Sequence, residues 1–301
     1  MSNSPYQQSF VSYVSEGASP GTTPATPAML KLRTSNPMGI SPSKALLESD
    51  EVLSHRQEEH TRHGMKGIQG NLPFELSYEA YNDWLEALLS GSWSTGVLKV
   101  GTSLKTFTVE QRIASDKFLH YKGVSPNQLS LTMNPTGMIN GTWEVVGMDF
   151  DSAATSLGVP SDVAVHPPFD GLGNAVIEES GSAIAIATSV DMTINANKTV
   201  GALLGSAGGD VPTDGQLLIT GTLTARFNSL ALFEKFKNET SSSLLIRFSN
   251  PGAAGTLEFK IPRLKYVGGQ PQNNDNVIDV ALDFRGLYDE SEASSIVITE
   301  A

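Results

Sequence analysis

The chain has 301 residues, 39% of them hydrophobic, which is enough to bury a sizeable core and too many for full-length disorder. Its 20 basic and 32 acidic residues leave a formal charge of −12, which opposes wrapping of DNA or of an anionic membrane because phosphates are repelled. Cysteine is absent, so disulfides, thiolate-ligated zinc, iron–sulfur clusters and a cysteine nucleophile are excluded.

At roughly 150 residues per domain the length predicts about two domains. No stretch approaches the roughly 20 apolar residues of a membrane helix. The amino terminus, MSNSPYQQSFVSYVSEG, lacks the basic start and apolar centre of a secretory signal, so the expectation is a soluble protein of a reducing compartment. Residues 1–28 read as an arm rich in Ser, Thr, Pro and Gly. Phe10, Val11, Tyr13 and Val14 leave two readings open, a loose tail or an arm that orders on a partner. Met29–Thr34 is the first predicted strand, and residues 41–66 follow as a long polar loop of mixed charge.

Residues 67–91 predict a strand and then a helix. Leu72, Phe74 and Leu76 alternate, Ser77 fits a helix N-cap, and Tyr81, Trp84, Leu85 and Leu88 recur at helical spacing. A hairpin is predicted from Val97–Val100 and Phe107–Ile113 around Gly101, then strands at Phe118–Lys122, Leu129–Met133 and Ile139–Met148. Residues 150–180, punctuated by Pro160, Pro167, Pro168, Gly158, Gly171 and Gly173, read as a connection between domains. Alternation resumes over Ala183–Ile194, and Gly201–Gly215 is loop-like.

A weak duplication organises the rest. GIQGNLPFELSYEAYNDWLEAL (67–88) aligns with LITGTLTARFNSLALFEKFKNE (218–239), pairing Ile68 with Ile219, Gly70 with Gly221, Leu72 with Leu223 and Leu85 with Phe236. Ser77 aligns with Asn228, a second capping residue. Further on, INGTWEVVGMDF (139–150) aligns with IDVALDFRGLYD (278–289), pairing Trp143 with Leu282 and Gly147 with Gly286. The bland alternative is chance similarity between two β-rich halves. Trp84, Leu85, Phe233 and Phe236 are predicted core residues.

Sites for chemistry are scarce. His60 and His63 lie three residues apart beside Glu58 and Glu59, but Arg56, Arg62 and Lys66 favour a solvated or intersubunit charged loop over a metal site. No GxSxG elbow and no phosphate loop occurs. Asp149, Asp151 and Asp162 could in principle supply a carboxylate pair for glycoside hydrolysis, a weak signal in an acidic chain.

The stretch ESDEVLSHRQEEHTRHGMKGIQGNLPFELSYEAYNDWLEALLSGSW, continued by FTVEQRIASDKFLHYKGVSPNQLSLTMNPTGMINGTWEVVGMD, resembles the tail tube (major tail) proteins of long, flexible-tailed bacteriophages. The second half, ITGTLTARFNSLALFEKFKNETSSSLLIRFSN and IPRLKYVGGQPQNNDNVIDVALDFRGLYD, is similar to the same family, so that the likeness covers about residues 29–290. The resemblance implies a mainly β fold of two tandem tail-tube-type sandwich or barrel domains, each with one packed α-helix. Their expected bounds are an extended N-terminal arm 1–28, a first domain 29–165 that carries the charged loop 41–66, and a second domain 166–301. It implies no catalytic residues, no cofactor and no metal. It further implies a structural protein of the siphovirus virion tail, assembled in the bacterial host cytoplasm. Rings of six tube domains stack into a tube through which DNA passes without specific binding, and no membrane is involved. A duplicated chain makes each ring a trimer, a single-domain chain a hexamer; a tape-measure protein and tail-end proteins are the other partners. The arm and loop 41–66 are the candidate ring-to-ring connectors, and Ile296–Ile298 a candidate edge strand across a subunit boundary. The competing reading is a glycan-binding adhesin or tail-fibre module, for which Trp93, placed after the helix, is the candidate exposed aromatic.

Overall fold

The computed structural model of the chain describes residues 9–52, 54–55, 57, 59–172, 175–184, 186–227, 231–250, 255–274 and 277–301, with backbone alone at 231–233 and 274. Leu53, Arg56, Glu58, Gly173 and the cap expected at Asn228 lie outside the described residues, as do the side chains of Leu232 and Phe233.

The fold is mainly β, with two short helices among the described residues. In chain order the strands are β1 (Phe10–Ser15), β2 (Leu30–Leu32), β3 (Ile40–Glu48) and β4 (Thr61–Glu75), followed by helix α1 (Asn82–Leu89). Then come β5 (Val97–Lys99), β6 (Phe107–Ala114), β7 (Lys117–Met133), β8 (Asn140–Gly147), β9 (Asp149–Ala153) and β10 (Ser161–Asp162). The second half holds β11 (Ala175–Glu179), β12 (Ser182–Ala183), β13 (Ala187–Asn195) and β14 (Leu218–Arg226), then helix α2 (Ala231–Lys237). It ends with β15 (Ser242–Ser249), β16 (Thr256–Tyr266), β17 (Gln270–Asn274), β18 (Val277–Gly286) and β19 (Val297–Glu300).

One continuous sheet runs through both halves in the order β3–β4–β8–β7–β13–β14–β18–β17, antiparallel throughout. Its strands alternate as a sheet with one covered face must. Ile68, Leu72, Trp143, Leu129, Leu131, Met192, Ile194, Leu223, Leu282 and Phe284 are buried on one side. That side is covered by an outer layer of two pieces. The first runs β10–β2–β1–β6–β7–β9, the second β12–β11–β15–β16–β19–β5.

Long strands join the layers. The first part of β7 pairs with β6 and β9 in the outer layer, and its second part with β8 and β13 in the inner sheet. The switch falls at Gly123, whose φ of +63° favours glycine. β16 likewise pairs with β15 and β19 through its first part and meets β18 through its end.

The pairing scheme of residues 10–153 recurs in residues 175–300. β3–β4, β4–β8, β6–β7, β7–β9 and β1–β6 have counterparts in β13–β14, β14–β18, β15–β16, β16–β19 and β11–β15. The registers coincide with the sequence alignment. Gly70 lies opposite Val145 and Leu72 opposite Trp143; their matches Gly221 and Leu223 lie opposite Phe284 and Leu282. Both glycines are required by close packing, since a Cβ on Gly70 would sit 2.7 Å from the Gly39 carbonyl and one on Gly221 2.2 Å from that of Asp191.

Aromatic rings fill the first half. Trp84 on α1 stacks on Phe107 at 5.6 Å and approaches Trp143 at 5.7 Å, while Tyr13 meets Trp84 edge-on at 5.8 Å. Trp84 and Leu85 are thus core residues as expected, and Phe236 is partly buried against the core.

Several local expectations are revised. Residues 10–15 are no free arm: β1 lies between β2 and β6, with Val11, Tyr13 and Val14 buried. Just after it, the buried Glu16 carboxylate accepts Thr106 Oγ1 (2.7 Å), Thr108 Oγ1 (2.8 Å), Gly123 N (2.8 Å) and Gly21 N (2.7 Å). Four donors make burial of that charge tolerable and pin the β7 switch. Ser77 does not cap α1; its Oγ accepts Arg33 Nη1 at 2.7 Å, and the helix starts later at Tyr81 with no side-chain cap. The predicted hairpin at Gly101 is absent, because β5 pairs with β19 instead of β6. Much of loop 41–66 belongs to the β3–β4 hairpin. Ile298 is buried between β16 and β5 of its own chain, so the C-terminal strand crosses between halves and not between subunits. Lys198, from the second half, is buried under α1, donating to the Ala87 carbonyl at the helix end and to Ser125 Oγ, both at 2.7 Å. Burial lowers its pKa, opposed by Asp214 at 3.4 Å.

These contacts generate three predictions. Tyr13→Ala removes a ring that packs on Trp84 and Phe107, and is expected to lower unfolding free energy by about 3 kcal/mol. Deleting residues 1–16 should abolish soluble folded protein; unaltered thermal unfolding of either variant would contradict the core placement of β1. Glu110 is fully buried, which raises its pKa, but His120 Nε2 (3.1 Å), Leu157 N (2.7 Å) and Ser156 Oγ (2.7 Å) outweigh this and hold it below the ordinary value of 4.5. A depressed carboxylate contributes stability that is present above the unfolded pKa and lost as pH falls through the folded one. Glu110→Gln should cost about 1–3 kcal/mol at neutral pH. It should also flatten the stability curve below pH 4.5, as measured by denaturant titration across pH.

Candidate assembly surface

The exposed face of the inner sheet is built from the residues that alternate with the core. It carries Gln69, Asn71, Asn140, Thr142, Gln128, Ser130, Thr132, Thr193, Asn195, Thr220, Thr222 and Thr224. Charges on the same side of the sheet are Glu75, Glu144, Asp191, Asp283 and the buried Asp279 against Arg226 and Arg285, so hydroxyl and amide groups dominate with an acidic excess. Cross-strand bonds knit it together: Asn195 Nδ2 donates to Gln128 Oε1 at 3.0 Å and Thr222 Oγ1 to Asp283 Oδ1 at 2.6 Å.

The two ends of this sheet are its second feature. Among the described residues, β3 pairs only with β4 and β17 only with β18. Each therefore presents one row of unpaired backbone groups, which is a template for another strand. Both edges contain a proline, Pro42 and Pro271. Asn71 N donates to the Gly39 carbonyl, so residues 39, 41 and 43 turn their backbone groups toward β4 and Pro42 turns outward, where a missing N–H lowers the appeal of the edge.

A single chain cannot remove these edges by closing on itself. Eight strands make a barrel just wide enough for side chains to fill. The apolar face is already covered by the outer layer and α1, so closure would bury the polar face, leaving Glu144, Asp191, Asp283 and Arg285 in a space that water could not fill.

Among the described residues no group of three or more His, Asp or Glu is placed to hold a metal. Of the carboxylates considered for hydrolysis, Asp149 is paired with Lys66 at 2.7 Å and Asp162 with Lys31 at 2.9 Å, while the exposed Asp151 accepts Ser152 N at 2.8 Å. His55 approaches Glu59 at 3.4 Å in the exposed β3–β4 loop. Trp93 is partly buried, donating through Nε1 to the Asn82 carbonyl, and offers no open aromatic platform. The cleft lined by Met133, Ile139, Ile177 and Ile184 contains no titratable side chain. In the cleft beside Gly17, Lys105 is paired with Glu86 and Asp83 accepts the Tyr13 hydroxyl at 3.1 Å. No helix among the described residues is long and apolar enough to cross a membrane.

The sequence reading missed the edges and the polar face because neither is a motif. The alternation that marks β4, β13 and β18 reports only that one face is covered; which strand ends the sheet depends on pairing. Comparison with known proteins adds the context. No curated protein matches the chain. A family model described as phage tail tube protein matches residues 7–286, nearly the whole chain. That extent of agreement, over a mainly β fold, places the chain in the phage tail tube protein family, whose members are structural components of the virion tail.

Proposed function

We propose that this chain is the repeating unit of a siphovirus tail tube, built as two tandem tube domains, 29–165 and 166–301, with the strand of the N-terminal segment folded onto the first. Three copies form a ring of six such domains, rings stack into a tube, and the genome passes through the bore during infection. A tape-measure protein inside the tube during assembly and tail-end proteins at its tips are the expected partners, and assembly takes place in the host cytoplasm.

The observation that carries this reading is the inner sheet, open at both edges, polar on one face and covered on the other. Three chains joined edge to edge would supply 24 strands. At about 4.8 Å between strands and a tilt of about 40°, such a barrel is about 50 Å across between backbones, wide enough for a double helix after side chains are added. The wall would display hydroxyl and amide groups with an acidic excess. Retention of DNA by counterion release needs lysine or arginine at the phosphates, so such a wall lets the duplex slide. The recurrence of one pairing scheme in both halves supports three chains per ring over six. The hairpin β3–β4, which extends with exposed Leu46 and Leu47 beyond the sheet body, remains the candidate connector between rings.

Negative-stain images of the purified chain should show rings or hollow tubes, and symmetry averaging should count three chains per ring. A persistent monomer would overturn the tube reading, and six chains per ring would overturn the tandem one. Thr132→Lys with Thr193→Lys places two cations diagonally across the β7–β13 pair on the polar face. Tubes of this variant should retain short duplex DNA, with a binding slope against log salt steeper by about 1 per phosphate contacted, whereas unaltered tubes should not. Equal DNA retention by both would argue against this face lining the bore.

A further inference from the structure

Within the inner sheet the two halves of the chain are joined by the pair β7–β13, and that joint is a template for the joint between chains. At the internal joint the second part of β7 runs antiparallel to β13, with Ser130 opposite Thr193, Leu131 opposite Met192, Thr132 opposite Asp191 and Met133 opposite Val190. Each partner has a counterpart at an open edge. β3 matches β13, because Ile40 lies opposite Gly70 as Met192 lies opposite Gly221. β17 matches the second part of β7, because Gln270 and Gln272 lie opposite Ala281 and Asp279, the aligned positions of Thr142 and Asn140, which face Ser130 and Thr132.

From these equivalences we infer that β17 of one chain pairs antiparallel with β3 of the next copy, with Gln270 opposite Ser41, Pro271 opposite Ile40, Gln272 opposite Gly39 and Asn273 opposite Met38. The inference rests on the tube reading above and adds to it the strands, direction and register of the contact. Side-chain facing agrees. Ser41 lies opposite Gln69 and so continues the polar face, while Ile40 is buried with the core. Ile40 is held to the covered side by its own pairing with β4, so a slip of one residue would set it opposite Gln270 or Gln272, whose side chains face the other way, and the pleat selects the register.

A second observation points to the same partner. Ile139 is buried at the internal joint, in the cleft it shares with Ile184 and Ala187 of the second half. Its counterpart Ile278 is 56% exposed beside the open edge of β17. The residue that the second half covers at the internal joint lacks that cover at the chain's end, where the next copy would supply it. The contact differs from the template in one respect. Pro42 and Pro271 each lack a donor, so the joint between chains has fewer backbone bonds than the internal one. It forms more reversibly, and the free edges resist indiscriminate pairing before assembly.

The chain contains no cysteine, so introduced pairs report cleanly. Ser41→Cys with Gln270→Cys in one chain, assembled and then oxidised, should give on a non-reducing gel a ladder ending at three copies that collapses to monomer on reduction. Ser41→Cys with Pro271→Cys puts the thiols on opposite faces and should cross-link at least tenfold less. Should the double variant fail to assemble, a mixture of the two single variants tests the same contact and should stop at covalent dimers. Rings or tubes in the microscope without the Ser41–Gln270 cross-link would overturn this joint and leave the tube reading standing; a chain that remains monomeric at assembly concentrations would overturn both.

Discussion

Backbone hydrogen bonding at the ends of a sheet governs this molecule. Among the described residues each interior strand of the inner sheet has a partner strand on both sides, while β3 and β17 have one on one side only. Closure within one chain is blocked by the polar face, and coverage of the other face by the outer layer fixes which side remains wet. The sheet therefore has unmet bonding capacity in the plane of the strands and none perpendicular to it. Growth by addition of identical units is the outcome that such a geometry favours, and a rotation per unit that closes turns growth into a ring.

The rigid part of each half is the clamp between layers. In the first half it consists of Trp84, Trp143, Phe107 and Tyr13 around α1; in the second, Phe248 and Phe259 pack with Phe169 from the connecting segment. Buried charged groups are spent on the same task. Glu16 binds the turn of β7, Glu110 binds the segment after β9, and Lys198 binds the end of α1 to the second half. In an active site such groups are left poised for a substrate; here each is satisfied by the chain's own donors and acceptors. Their cost of burial is offset only if the layers stay in register, so they act as position markers for the sheet with the open edges.

Much of the fold was legible from the residues. Alternation located β4 and β13, a predicted strand stood at β8, helical spacing located α1, and the aligned pairs Gly70 with Gly221 and Trp143 with Leu282 anticipated matching strand registers. Other parts were misread for identifiable reasons. β1 was hidden by its Ser, Thr and Pro surroundings, because its burial depends on β6, some hundred residues away in the sequence. Ser77 has the chemistry of a cap, yet Arg33 takes its hydroxyl. The short apolar run of β5 looked like a partner for its sequence neighbour β6, but the C-terminal β19 occupies that role.

Sequence alone determined the class of the protein: a β-rich, cysteine-free, acidic chain with a doubled pattern and no constellation for catalysis. Those properties follow from local periodicity and composition, which survive without knowledge of contacts. Tertiary structure decided which strands stand at the ends of the sheet, which face stays wet, and that β7 and β13 weld the halves together. Pairing partners are chosen by packing across long sequence separations, and a strand that ends a sheet has the same alternation as one in its middle.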